Sequence, residues 1–145
     1  MKLYPDLQLA TDLRTVTARL IKKLRKKSVT GLQLSLTERS TLSLLLQHKE
    51  LLPSELAAME KITNQSMSQI LSHLLELGYI SRRDSETDKR KVIISLTMEG
   101  EKTLLKVRAE RDEWLRKAIS ETCTADEVEA LQRAIAPLSK LVDFD

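Results

Sequence analysis

Only one stretch of this chain breaks a helical rhythm. "YISRR" and "KVIISL" are short runs rich in Ile, Val and Tyr, the composition of strands. The polar segment "DSETDKR" separates them, so they are expected to pair as an antiparallel hairpin with a long polar tip. A two-stranded hairpin is marginal by itself. Its apolar side must therefore lie on helices, and that fixes the direction in which the tip projects. Aromatic content of 3%, three glycines and three prolines also favour helix over a larger sheet. The expected fold class is mostly α, with one two-stranded wing.

The rest of the chain reads as helices with recognisable ends. Leu9, Leu13, Val16, Leu20 and Leu24 step by three and four, giving a long amphipathic helix that Gly31 is expected to end. Thr37 is the expected cap of a second helix carrying Leu42, Leu45 and Leu46. Pro53 suits the first turn of the short helix "PSELAAM". Thr63 caps "NQSMSQILSHLLEL", and Gly78 stops it. Helix resumes at Thr97 over "TMEGEKTLLKVRAERDEWLRKAIS" and, past the cap signal "TADE", runs over residues 125–142.

Charge is unevenly distributed although the net is only +3. Residues 1–36 carry +6, residues 37–96 are neutral, and residues 97–145 carry −3. A nucleic-acid reading must therefore rest on local placement. No window approaches 18 uninterrupted apolar residues, and "MKLYPDLQLATDLR" has proline and aspartates where a secretory signal needs an apolar run. With a single cysteine, Cys123, these features lead to the expectation of a cytoplasmic protein with no membrane partner.

Residues 64–77 carry the informative face. Met67, Ile70, Leu71, Leu74 and Leu75 recur at helical spacing and are expected to face the core. The opposite face holds Gln65, Ser66, Ser68, Gln69, Ser72 and His73, with no Lys or Arg. Serine is a poorer helix former than the Glu, Lys and Arg of an ordinary solvated face. Amides and hydroxyls do suit base edges and phosphate oxygens in a major groove, and a helix start at Thr63 and Asn64 offers free N–H groups to phosphate. A merely polar solvent face is the alternative reading. The hairpin adds Arg82, Arg83, Lys89, Arg90 and Lys91 against Asp84, Glu86 and Asp88, a local cationic probe of a kind that exploits a narrow minor groove. Asp88, two residues before Arg90, is placed to orient it by an ion pair.

The run from "LTERSTLSLL" through "PSELAAMEKITNQSMSQILSHLLELGYISRRDSETDKRKVIISLTMEG" resembles the winged-helix core of the MarR family of bacterial transcriptional regulators. Its most specific pieces are "SELA", "LLELGYISRR", Asp88-x-Arg90 and "LTMEG". The resemblance implies a winged helix-turn-helix over residues 36–100, flanked by dimerisation helices at 1–35 and 101–145. It also implies that helix 64–77 reads the major groove, that Arg90 enters the minor groove, and that a ligand pocket lies between the modules. Two departures stand out: Leu52 occupies a position where the family often has Thr or Ser, and "EKIT" lacks the frequent glycine.

The terminal segments argue for self-association independently. Val128, Leu131, Ile135, Leu138 and Val142 step 3, 4, 3, 4, the spacing of a helix seam. Packing within the same chain is the alternative, and Pro137 is expected to kink this helix. A homodimer intertwined through its first and last helices is expected, because two-fold operators need two reading helices about 34 Å apart.

The weaker candidates are "IKKLRKK" (Lys22, Lys23, Arg25, Lys26, Lys27), for flanking phosphates or an anionic effector, and Cys123, read as an ordinary thiol. Cations also suit a helix C-terminus by its dipole. His48 is read as a helix-end residue. The two histidines and one cysteine are too dispersed for a metal site, and no cofactor is expected. Among function classes, a sequence-specific regulator of double-stranded DNA leads, expected as a ligand-responsive repressor acting as a homodimer on a palindromic operator. A winged-helix protein-interaction module is second. An enzyme is third, for want of Walker, G-x-G-x-x-G, H-E-x-x-H or G-x-S-x-G signatures.

Overall fold

In the computed structural model, which describes residues 7–145, the chain runs α1 (Leu7–Arg25), a 3-10 turn (Thr30–Gln33), α2 (Leu36–His48), β1 (Glu50–Leu51), α3 (Pro53–Glu60), α4 (Asn64–Glu76), β2 (Ile80–Asp84), β3 (Val92–Leu96), α5 (Met98–Thr122) and α6 (Ala125–Val142). The expected winged helix-turn-helix is present. Part of the N-terminal stretch used above against a secretory signal, residues 1–6, lies outside the described residues.

Burial explains why the middle of the chain folds around α4. Leu42 and Leu45 from α2, Leu56 from α3, Met67 and Leu74 from α4 and Ile94 from β3 are all at most 1% exposed. Burying each such side chain is worth about 1.5–3 kcal/mol. Of the five α4 residues expected in the core, Met67, Leu71 and Leu74 are buried, Ile70 is partly buried, and Leu75 lies at the rim, 36% exposed.

The hairpin gains a strand that the sequence did not announce. The sheet order is β1-β3-β2, all antiparallel, with Glu50 opposite Ser95 and Arg82 opposite Ile94. β1 has only two residues, so it carries no alternation to detect.

Two expected helix boundaries are corrected. α1 ends at Arg25, well before Gly31, which sits buried in the 3-10 turn and donates its N–H to Ser28 Oγ at 3.2 Å. A Cβ at Gly31 would stand 2.8 Å from Arg111 Nη2 and 3.1 Å from Val107 Cγ1. Close approach of α5, and not helix termination, is what favours a small residue there, although the Arg111 tip could swing aside. The cap of α2 is Ser35, not Thr37: Glu38 N–H donates to Ser35 Oγ at 3.1 Å, and Ser35 N–H donates to Glu38 Oε1 at 2.8 Å. This reciprocal pair satisfies two N–H groups that Thr37 would leave open.

Other boundaries follow expectation. Thr63, Thr97 and Thr124 cap α4, α5 and α6, and Gly78 follows α4 with φ +77°. Leu52, which has no hydroxyl, precedes Pro53, and its N–H is taken up by Glu55 Oε1 at 2.9 Å. In the turn between α3 and α4, Lys61 adopts the left-handed conformation (φ 56°) where glycine would be unstrained; the Cβ contact there costs about 1–2 kcal/mol.

Neither α1 nor α6 buries a residue, and α5 buries only Gly100, Thr103, Leu104 and Val107 near its start. Leu131, Ile135, Leu138 and Val142 on α6 and Leu9, Val16 and Leu20 on α1 are exposed. Of the expected seam only Val128 is half-buried. Helical assignment continues through Pro137, which has no N–H to give Arg133.

Candidate nucleic-acid interface

The site is built from α4, the start of α3 and the wing. Thr63 opens α4 by accepting the Ser66 N–H at 3.0 Å and donating its hydroxyl to Ser66 Oγ at 3.0 Å. Past it, Asn64, Gln65, Ser66, Ser68, Gln69 and Ser72 are all exposed. The sequence placed these side chains on one face because Met67, Leu71 and Leu74 occupy the other.

The wing faces the same way. A cleft of about 190 Å³ between α4 and the sheet is lined by Ser68 and Ser72 on one wall and Arg82 on the other. It adjoins a wider concavity of about 320 Å³, where Asn64, Ser68 and Ser54 meet Arg90 and Lys91. Ser68 lines both, so Asn64, Ser68 and Ser72 of α4 share one trough with the cationic edge of the wing, while Ser66, Gln69 and His73 line a separate concavity with Ser35 and Glu38 at the start of α2.

The tip is ordered by Asp88. Its Oδ1 accepts the Arg90 N–H at 3.0 Å and Arg90 Nε at 3.3 Å, while its backbone oxygen accepts the Lys91 N–H at 2.9 Å. The Arg90 N–H, and after it the guanidinium, holds the Asp88 carboxyl below its ordinary value. The Arg90 side chain remains 92% exposed. A guanidinium held at Nε still offers its two terminal amino groups. Lys89 is exposed nearby.

Two of the sequence candidates are engaged within the protein. His73, half-buried on α4, has its Nδ1 on Glu38 Oε2 of α2. Arg83 Nη2 donates to Glu50 Oε1 of β1 at 2.7 Å, and Glu50 raises the Arg83 pKa. Sequence reasoning missed both carboxylates. Each lies more than 30 residues from its partner, beyond the reach of any local spacing rule.

Burial alone would push the Glu38 carboxyl up, but the Ser35 N–H, His73 and the Ser35 hydroxyl outweigh it and hold it below its ordinary value of 4.5. A depressed carboxyl stabilises the fold above its unfolded value and loses that contribution as pH falls through the folded one. Acid unfolding of the Glu38→Gln variant, followed by circular dichroism below about pH 4.5, is therefore expected to be less steep than that of the parent.

The basic end of α1 lies elsewhere. Arg19, Lys22, Lys23, Lys26 and Lys27 line a separate open concavity, and Lys23 and Lys27 stand 5.7 and 5.1 Å from the centre of the Trp114 ring. Cys123 is the C-cap of α5, its N–H on Ile119 O. Among the described residues no three His, Cys, Asp or Glu side chains gather as a metal would need, and no helix is long and apolar enough to cross a membrane.

Comparison with known proteins converges on one family. The sequence profile described as MarR family matches residues 32–91. An HTH-type transcriptional regulator of Mycobacterium leprae is 28% identical over 138 residues, 95% of each chain. The crystal structure of a transcriptional regulator from Pseudomonas aeruginosa is similar at a TM-score of 0.81 with 30% identity, covering 99% of this chain and 100% of that one. The fold is also that of S. aureus MepR, solved as a mutant bound to an oligodeoxyribonucleotide, with a TM-score of 0.70, 22% identity, and coverage of 93% of this chain and 96% of that one. The profile match over the trough, the full-length relatives and the winged-helix architecture together place this chain in the MarR family of HTH-type transcriptional regulators.

Proposed function

We propose that this regulator binds double-stranded DNA sequence-specifically as a homodimer on a palindromic operator and acts as a ligand-responsive repressor. The observation that carries the reading is the trough itself: hydroxyls and amides of α4 share one concave surface with Arg82, Arg90 and Lys91 of the wing. Thr63, Asn64, Gln65, Ser66, Ser68, Gln69 and Ser72 would meet the major groove, and the wing residues Arg82, Asp88, Lys89, Arg90 and Lys91 the backbone and minor groove. His73 would act from its place on Glu38.

In the proposed division of labour, Leu34 and Leu104 from the flanking segments lend their side chains to the core of the middle one. Residues 36–100 form the reading head, while residues 1–35 and 101–145 supply the exposed apolar faces of α1 and α6 to a second copy. An anionic small molecule is the effector class proposed, acting in the cytoplasm.

Footprinting on the DNA upstream of the chain's own gene, with and without aromatic carboxylates or oxidants, tests the reading. The expected result is a protected inverted repeat with half-sites about one helical turn apart, released by an effector. Sedimentation of the Ile135→Asp variant is the companion measurement. It should give a monomer with DNA affinity lowered at least tenfold, and an unprotected promoter with a monomeric parent would end the proposal.

A further inference from the structure

Arg82 and Arg83 are neighbours in sequence and would be counted together as cationic wing residues. The pleat separates them. Arg82 pairs with the buried Ile94 and lines the α4 cleft beside Ser68 and Ser72. Arg83 belongs to the other face of the sheet, because successive strand residues alternate sides. On that face the register sets Ser81 opposite Ser95, Ser95 opposite Glu50, and Arg83 opposite Ile93. Ser81 and Ser95 share a hydroxyl hydrogen bond of 2.8 Å, and Arg83 reaches diagonally across β3 to Glu50 at 2.7 Å.

The contact joins the two outer strands of the sheet over its central one. β2 and β3 run on into the tip, whereas β1 leads directly into Leu52 and α3. The bond from Arg83 to Glu50 therefore ties the outer strand of the wing to the start of the helix-turn-helix. Below the tip, Ser85 N–H donates to Lys91 O at 3.0 Å, closing the loop that carries Arg90. A hairpin this small depends on what holds its root.

Resting on the DNA-binding reading above, we infer that Arg83 is a positioning residue: paired with Glu50, it sets the angle at which the wing meets DNA and does not itself contact phosphate. The pairing matches charge with charge, leaves Glu50 and Arg83 with no net charge between them at the wing root, and reserves Arg82 and the tip cations for nucleic acid.

Electrostatics alone and the anchor make opposite forecasts for Glu50. Removing an acid near a DNA-binding surface should tighten binding if its only effect is charge. Loss of the anchor should weaken it. The experiment measures the affinity of the full chain for the footprinted duplex over a series of salt concentrations, for the parent, Glu50→Gln, Arg83→Gln and the exchange Glu50→Arg with Arg83→Glu. Exposed ion pairs are individually weak, so each single variant is expected to lose about three- to fivefold. The salt slope should stay at the parent value, and the exchange should recover most of the loss.

Tighter or unchanged binding by Glu50→Gln, or a slope reduced by about 0.9 in Arg83→Gln as for a lost phosphate contact, would overturn the inference. Amide hydrogen exchange without DNA gives a second reading. Faster exchange at Ser85 and Lys91 in Glu50→Gln supports the anchor, and unchanged exchange refutes it. Should the parent bind no duplex, the DNA-binding reading fails while the exchange arm still decides whether Arg83 and Glu50 hold the wing.

Discussion

Replacing Gly100 with alanine is expected to lower the melting temperature by about 10 °C, from a loss of about 3 kcal/mol in a chain of this size. Gly100 sits in the first turn of α5, where its N–H donates to Thr97 Oγ1 at 3.0 Å. A Cβ there would lie 2.0 Å from the Tyr79 carbonyl oxygen and 2.8 Å from its carbon. These are backbone atoms held on both sides. Tyr79 O accepts the Thr97 N–H at 3.0 Å, and Tyr79 N–H donates to Leu74 O at 3.1 Å, so the segment cannot yield as the end of a flexible side chain would. Gly78→Ala is the control: nothing lies within 4 Å of its Cβ position, and only its positive φ opposes the change, at about 1–2 kcal/mol. Thermal unfolding followed by circular dichroism ranks the two. A Gly100→Ala melt within about 2 °C of the parent, well short of the shift that 3 kcal/mol implies, would remove close packing as the reason "LTMEG" ends in glycine.

The second large effect falls on DNA. Arg90→Ala should weaken operator binding by about 1–3 kcal/mol, with the salt slope reduced by about 1 if the contact is to phosphate and preserved if it is to a base edge. Asp88→Asn separates orientation from charge. It makes the tip more positive and exchanges the charged acceptor of the Arg90 N–H and Nε for a weaker neutral one. Weaker binding by Asp88→Asn in a titration at fixed salt would show that the aim of the guanidinium outweighs the added charge. Tighter binding would show that Arg90 needs no restraint.

Much of the architecture was legible because it rests on local chemistry. Helical spacing, the Thr63 and Thr124 caps, Gly78, and the switch to strand-type residues at Tyr79 all act within a few positions. The misses have equally physical causes. "SLTE" carries the Ser35–Glu38 capping box, a signal present but passed over for Thr37. Gly31 could not be told from a helix stop, since the side chains that crowd it, Val107 and Arg111, are more than 70 residues away. β1 is too short for a period, and its pairing with β3 spans more than 40 residues. For the site, the hydrogen-bonding face of α4 and the Asp88–Arg90 pair could be read directly. The ties of His73 to Glu38 and of Arg83 to Glu50 could not, because only the folded chain brings those residues together.

Thr97 joins three elements: its hydroxyl donates to Gly78 O at 2.7 Å, its N–H to Tyr79 O, and its hydroxyl oxygen receives Gly100 N–H. The exit of α4, the root of the hairpin and the first turn of α5 thus meet at a single braced vertex. Such a vertex transmits rotation and does not absorb it. In the proposed homodimer, a change in the separation of the two copies would therefore fall to α5 beyond this vertex or to the α1–α2 junction, and not to the vertex itself.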